Sequence, residues 1–448
     1  MASSPSYNTT YIVALSFISA LGGYLFGFDF AVISGALPFL KDKFNLNEYW
    51  EGFATASLAL GAMIGCLVSG KIADKKGRKP GLLVAATVFG ISSLFMAFAP
   101  NREFFIAARF MAGIGVGMAS MLSPMYIAEI APASFRGRMV AINQLTIVLG
   151  ILITNLVNYS LRNSGEDAWR WMFGLGAIPS LLFFLGVLWL PESPRWLAQN
   201  GNPGKAADIL TKIGGTAFSN TTITEMQKSF QHAAKMKMSA IFEKNVLPAV
   251  MIGIGLAVFQ QLCGINVVFN YTATIFESIG ASKDDQLLQT VFIGGVNLVF
   301  TVLAMLLVDK TGRKPLMLFG AAGLAILYIF ISQLLGIKSS SVSWFLLAAI
   351  GIYALTLAPV TWVLISEIFP NKVRGNAISI AVLSLWGAYF VLTFTFPVLY
   401  NRLQDKTFYV YAVICFIGFG FILKKIKETK GKTLEEMDAG FFPVGNVH

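Results

Sequence analysis

The chain has 448 residues, 56 % of them hydrophobic and 13 % charged, and its mean hydropathy is +0.68. Soluble domains carry about 25 % charged residues, so this composition excludes an ordinary water-soluble globular protein. A net charge of +11 would suit nucleic acid, but the basic residues gather in short linkers between apolar runs, so the excess reports membrane topology and no nucleic-acid partner is expected.

The first apolar run covers about 11–40. Within it, "YLFGFDFAVISG" (24–35) holds Asp29, the only charged side chain between Thr10 and Lys41. The preceding "MASSPSYNTT" lacks a basic n-region, and the run is too long for a cleaved signal peptide. Runs at about 50–70, 81–100, 104–130, 139–160 and 170–190 follow. The fourth carries "RFMAGIGVG", with Arg109 at its head and glycines at 113, 115 and 117. A polar segment, 196–245, with both Lys and Glu, predicts short surface helices. Six more runs lie at about 246–279, 287–308, 315–337, 343–369, 376–400 and 407–424.

Runs of about 20 apolar residues are long enough to cross a bilayer. These are rich in Leu, Ile, Phe and Gly without alternation, which predicts helices and excludes a β-barrel. The expected fold is therefore an all-α membrane protein of twelve transmembrane helices. The linker "KIADKKGRKP" (71–80) holds five basic residues, and Arg136, Arg138, Lys372 and Arg374 lie in other even-numbered linkers. Odd-numbered linkers such as 41–51 and 280–286 are neutral to acidic. By the positive-inside rule both termini are cytoplasmic.

The punctuation repeats. "DKKGRKP" (74–80) returns as "DKTGRKP" (309–315), "AEIAPASFRG" (128–137) as "SEIFPNKVRG" (366–375), and "PESPR" (191–195) has a weaker echo in "KETKG" (427–431). Two pseudo-symmetric six-helix bundles are expected, 1–195 and 246–426, joined by the linker 196–245 and followed by a cytoplasmic tail, 427–448. A duplicated unit of this kind is the architecture of a rocking transporter. The charges near the repeated helix ends are Asp74, Arg78, Glu129, Arg136, Glu192 and Arg195 in one half. Asp309, Arg313, Glu367 and Arg374 are their counterparts in the other. They are expected to form a cytoplasmic latch that pairs in one conformation and hydrates in the other, shifting the equilibrium by about 1–3 kcal/mol; the plainer reading is that they only set topology.

With "GYLFGFDFAVISG", "DKKGRKP", "RFMAGIGVG", "SPMYIAEIAPASFRG", "PESPRWL", "QQLCGINVVF", "VDKTGRKP", "WVLISEIFPNKVRG" and "KETKGKTLEE" in order along the chain, the sequence resembles the sugar porter family of the major facilitator superfamily. The likeness is greatest to its bacterial proton-coupled xylose symporters. The resemblance implies a midplane sugar pocket built mainly from the second half. It assigns Gln260, Gln261 and Asn266 from "QQLCGIN", with Gly264 loosening the helix between them, and completes the set with Gln144 and Asn297. Amides suit this task because each sugar hydroxyl both donates and accepts. Trp362 and Trp386 match positions that pack on the sugar's C–H face, with Phe26 on the first helix. Taken singly, each amide is equally an interhelical hydrogen bond and each aromatic equally a core residue. Two departures bear on the pocket: Asn270 stands where the family commonly has the first of two tyrosines, and Leu385 stands where the xylose symporters carry glutamine. Xylose, glucose, galactose and arabinose remain open.

A carboxylate near the centre of a membrane helix costs roughly 2.5–3.5 kcal/mol to insert and is functional by default. The candidate partner for Asp29 is Arg109, and a carboxylate that alternates between a proton and an arginine is a proton carrier. In the resemblance, proton-coupled members have Asp at this position and uniporters an uncharged residue. The expected function is proton-coupled monosaccharide symport by alternating access. The alternatives are a facilitative uniporter with Asp29 in a static ion pair, and, less favoured, a transporter-like sugar sensor, for which the tail is short. The proton is the coupling ion, and no cofactor or metal is expected: Cys66, Cys263 and Cys415 fall in apolar spans, His232 in the linker and His448 at the end. No enzyme motif is evident, since "GIGVG" lies within a span. The protein is expected as a monomer in the lipid bilayer of the inner (cytoplasmic) membrane, crossing it many times.

Overall fold

The computed structural model describes residues 7–232, 241–244, 246–369 and 373–430. Most of the tail (431–448), part of the linker (233–240 and 245) and Lys372 lie outside the described residues. In chain order the helices are α1 (Thr9–Phe44), α2 (Glu48–Lys76), α3 (Arg78–Ala97), α4 (Arg102–Ile130), α5 (Ala133–Ser160), α6 (Ala168–Gly174), α7 (Ala177–Trp189), α8 (Pro194–Gln199) and α9 (Pro203–His232). The second half supplies α10 (Leu247–Leu262), α11 (Ile265–Asn270), α12 (Thr272–Ser278), α13 (Lys283–Thr311), α14 (Arg313–Gly336), α15 (Val342–Leu355), α16 (Leu357–Ile368), α17 (Arg374–Leu403) and α18 (Thr407–Lys425). The described residues contain no strand.

Among the described residues, eleven helical stretches are long and apolar enough to cross a membrane, and the last, Arg374–Lys425, contains both α17 and α18. Twelve spans result. Their outward faces carry Leu181, Leu182, Leu306, Phe319 and Ile417, each more than half exposed, as suits helices whose surroundings are lipid.

Three spans are not single helices. The run at 246–279 is divided into α10, α11 and α12 at Gly264 and Tyr271. Gly264 adopts φ +90°, and a Cβ there would lie 2.6 Å from the Tyr411 ring, so glycine is required both for backbone conformation and for space. The run at 343–369 divides at Thr356 into α15 and α16. Pro359 then falls in the first turn of α16, where its missing N–H has no helical partner to lose. The run at 170–190 divides between α6 and α7.

Contacts divide the chain into two compact units. Unit 1 comprises Met1–Asp29, Gly61–Gly150 and Phe173–Lys235; unit 2 comprises Phe30–Leu60, Ile151–Met172 and Met236–His448. These units cut across the two sequence halves, because the ends of α1, α2 and α5 farthest from the GRKP motifs belong to unit 2. Within unit 1, α2 and α4 approach closely along small residues. A Cβ at Gly61, Gly65 or Gly117 would collide with a backbone carbonyl of the facing helix, the small-residue packing that membrane helices favour. Its core includes Phe105 against Phe173, with ring centroids 5.1 Å apart. The core of unit 2 includes Tyr328, Phe408 and Tyr411, all fully buried with ring centroids 5.8–6.2 Å apart.

Candidate functional site

In unit 1, α1 and α4 bring Asp29 and Arg109 together with both residues 0 % exposed. Arg109 Nη1 donates to Asp29 Oδ1 at 3.4 Å, and Nη2 lies 3.3 Å from Oδ2. Asp29 Oδ2 and Arg109 Nε and Nη2 have no hydrogen-bond partner among the described residues. The guanidinium also lies over the Phe173 ring, 5.8 Å from its centroid. Two charges are thus removed from water and joined by long contacts that leave several polar atoms unsatisfied. Attraction in such a pair offsets a desolvation cost of several kcal/mol per ion only when the geometry is excellent, which it is not here. Arginine keeps its charge under all ordinary conditions, so the group able to change state is Asp29.

The amides of the second half assemble in unit 2. Gln260 and Gln261 occupy the last turn of α10 and Asn266 the first turn of α11, on either side of the left-handed Gly264. Gln261 Nε2 donates to Gln260 Oε1 at 2.9 Å, and Asn266 Nδ2 donates to Gln261 Oε1. The chain of three, each under 7 % exposed, leaves Gln260 Nε2 as an unused donor at one end and Asn266 Oδ1 as an unused acceptor at the other, among the described residues. Asn297 on α13 is 5 % exposed and makes no hydrogen bond among the described residues. Buried amides of this kind call for a polar ligand or water. Trp386 on α17 is buried and meets Tyr389 edge-to-face at 5.8 Å, whereas Trp362 on α16 is 43 % exposed. Phe26 and Gln144, both half-buried, belong to unit 1.

The repeated motifs form matching networks, one within each unit. In unit 1, Arg78 Nη2 donates to Glu129 Oε1 at 2.7 Å, and Ser193 Oγ donates to Glu129 Oε2 at 2.5 Å. Glu192 accepts from the backbone N–H groups of Arg78 (2.9 Å) and Lys79 (3.2 Å), capping the N-terminus of α3. Lys79 Nζ answers by capping the C-terminus of α7 at the Leu188 carbonyl, 2.7 Å. In unit 2, Arg313 Nη2 reaches Glu367 Oε1 at 3.4 Å, Glu428 accepts from the N–H groups of Arg313 and Lys314 at 3.0 Å, and Lys314 Nζ donates to the Leu423 carbonyl at 2.9 Å. An anion at a helix N-terminus and a cation at a C-terminus each match the helix dipole. Gly77 and Gly312, at φ +98° and +96°, let each carboxylate approach the helix start.

The two carboxylates differ. Burial pushes Glu192 above the usual carboxylate range, against the backbone donors of Ser193, Arg78 and Lys79. Burial would also raise Glu428, but the N–H groups of Lys430, Arg313, Lys314 and Thr429 together outweigh it and hold that carboxyl below the usual range. Of the remaining motif charges, Arg374 donates to the Phe369 carbonyl at 3.0 and 3.2 Å. Asp74, Arg136 and Arg195 are exposed and form no ion pair among the described residues; the side chain of Asp309 lies outside them.

A further set, absent from the sequence reading, lies within unit 2 at the helix ends away from Arg313 and Glu428. It joins residues of the first half to residues of the second. Lys41 is shared between Glu277 (3.3 Å) and the buried Glu51 (3.8 Å), which also accepts from Thr274 Oγ1 at 3.3 Å. Lys283 pairs with Asp42 at 2.9 Å and Arg162 with Asp284 at 3.2 Å. Asn401 donates to Glu48. The mixed charge of 41–51 and 277–285 was the available signal, but pairing between segments more than 200 residues apart is a tertiary fact that no local pattern carries.

Comparisons with known proteins give the family and the fold. The model of the family "Sugar (and other) transporter" matches residues 15–441. The D-xylose-proton symporter of Escherichia coli (strain K12) is 39 % identical over 482 residues, covering 98 % of this chain and 97 % of that protein. The arabinose-proton symporter of Bacillus subtilis (strain 168) is 37 % identical over 443 residues, covering 97 % and 96 %. Among solved structures, the major facilitator superfamily proton:xylose symporter XylE bound to 6-bromo-6-deoxy-D-glucose superimposes with a TM-score of 0.82 at 38 % identity, covering 97 % of this chain and all of that one. The chain shares that fold, crosses the membrane many times, and belongs to the Sugar (and other) transporter family.

Proposed function

We propose that the protein is a proton-coupled monosaccharide symporter that works by alternating access, carrying D-xylose or a related pentose or hexose. The observation that carries the reading is the Asp29–Arg109 pair, fully buried, long, and incompletely hydrogen-bonded. Protonation of Asp29 would release Arg109, and loss of the proton would restore the pair, so the two states of one carboxylate become two states of α1 against α4. Within unit 2 the sugar would be held by Gln260, Gln261, Asn266 and Asn297, with Trp362 and Trp386 supplying apolar faces. The GRKP-end networks would act as the cytoplasmic latch, and the protein would operate as a monomer in the bilayer of the bacterial inner membrane.

The energetics are adequate. A potential of 100 mV is worth about 2.3 kcal/mol per charge, and one pH unit about 1.4 kcal/mol. The sum of about 3.7 kcal/mol supports accumulation of several hundred-fold. The test is uptake of labelled xylose and glucose into proteoliposomes with and without an inward proton gradient. Gradient-driven accumulation supports symport. Equilibration alone, indifferent to the gradient, would instead make Asp29–Arg109 a static pair in a facilitative uniporter.

A further inference from the structure

In unit 2 the elements that carry Asn266 and Trp386 are fastened to each other by contacts the mechanism above does not use. Asn270, the last residue of α11, is fully buried and donates from Nδ2 to the Tyr389 hydroxyl at 2.8 Å. The next residue, Tyr271, donates its hydroxyl to the Thr393 carbonyl at 2.7 Å, and its ring lies against Phe396 with centroids 4.8 Å apart. Residues 389 and 393 are about one turn apart on α17, so the two bonds set both the distance and the register of α11 along that helix.

Tyr389 follows Trp386 by three residues, which places them on one helix face, and the rings meet at 83°. Phe30 packs on Tyr389 at 5.6 Å and on Phe269 of α11 at 5.7 Å. The Tyr389 hydroxyl is thus a polar fixture in an aromatic shell. Aromatic contacts alone tolerate sliding; a buried hydrogen bond is directional.

We propose that Tyr389, held by Asn270, is a positioning residue for sugar recognition: it locks the broken-helix segment α11 to α17 and so fixes Asn266 and Trp386 relative to one another. The inference rests on the sugar-transport reading of those two residues. Asn270 Oδ1 has no partner among the described residues, so removing the Tyr389 hydroxyl leaves the whole Asn270 amide unpaired in a buried place. Replacing both partners by apolar groups removes that penalty but still loses the lock.

The experiment compares wild type, Tyr389→Phe, Asn270→Leu and the double variant in proteoliposomes, reading KM and kcat for xylose and glucose alongside thermal unfolding. The expected result is a KM raised about fivefold in all three variants, the equivalent of one hydrogen bond of about 1 kcal/mol. The kcat should stay within about twofold, and the melting temperature should fall in the single variants and largely recover in the double. A KM that returns to the wild-type value in the double variant, together with its stability, would overturn the proposal and leave the pair a structural contact. An unchanged KM in Tyr389→Phe would overturn it as well. If wild type carries neither sugar, the transport reading itself fails and takes the proposal with it.

Discussion

Gly264 offers the sharpest test of how the broken helix builds the amide cluster. Its φ of +90° lies in the left-handed region, where a side chain costs roughly 1–2 kcal/mol. A Cβ would also sit 2.6 Å from the Tyr411 ring, and overpacking of a buried ring costs about 1–3 kcal/mol more. Gly264→Ala should therefore destabilise the protein by about 2–5 kcal/mol. Gly280 provides an internal control. It has φ +82° but nothing within 4 Å of the position its Cβ would take, so Gly280→Ala should cost only the backbone term, about 1–2 kcal/mol. Thermal unfolding of the detergent-solubilised variants measures the difference, and sugar KM reads the site. Gly264→Ala should raise KM because Gln260 and Gln261 reach Asn266 only across this turn; Gly280→Ala should not. Equal losses of stability in the two variants would refute the steric argument. A normal KM in Gly264→Ala would separate the break from sugar recognition.

Three further outcomes follow from the charge networks. Lys41→Gln should cost about 3 kcal/mol, because it strands the buried Glu51, whereas Lys283→Gln should cost under about 1 kcal/mol, because its pair with Asp42 is solvent-exposed; paired melting curves in low salt check this. Glu428→Gln should destabilise the protein at pH 7 more than Glu192→Gln, by about 1–2 kcal/mol after allowance for solvent screening, since Glu428 accepts from four backbone donors. The pH trends should also oppose each other. The lowered carboxyl of Glu428 contributes stability above its unfolded value of 4.5 that is lost as pH falls through its folded value, whereas raised Glu192 costs stability as pH rises above 4.5. Melting curves of each Gln variant against wild type between pH 3.5 and 6 (about the range that brackets 4.5) should show differences of opposite slope.

Much of this protein was legible because membrane insertion writes itself into local composition. All twelve spans follow from apolar length, and the break at Gly264 from what the family resemblance implied for "QQLCGIN". The Asp29–Arg109 contact was equally readable, since an isolated buried acid needs a cation and one was at hand. What stayed hidden depends on distance along the chain. The repeats flagged "PESPR" and "KETKG" as related, but not that Glu192 and Glu428 cap α3 and α14 more than 100 residues back. Asn270 was visible as a departure from the family pattern, yet its partner Tyr389 lies 119 residues away. The run at 343–369 breaks at Thr356, because proline is tolerated in the first turn of α16 and the backbone bends just before it.

The central claim is that Asp29 carries the coupled proton. The most direct measurement is the external pH of a lightly buffered suspension of proteoliposomes when sugar is added, for wild type and Asp29→Asn, with labelled-sugar exchange followed in parallel. Wild type should alkalinise the medium as sugar enters, and Asp29→Asn should exchange sugar with no pH change. Sugar-induced alkalinisation that persists in Asp29→Asn would contradict the account, and place the coupled proton on a different group.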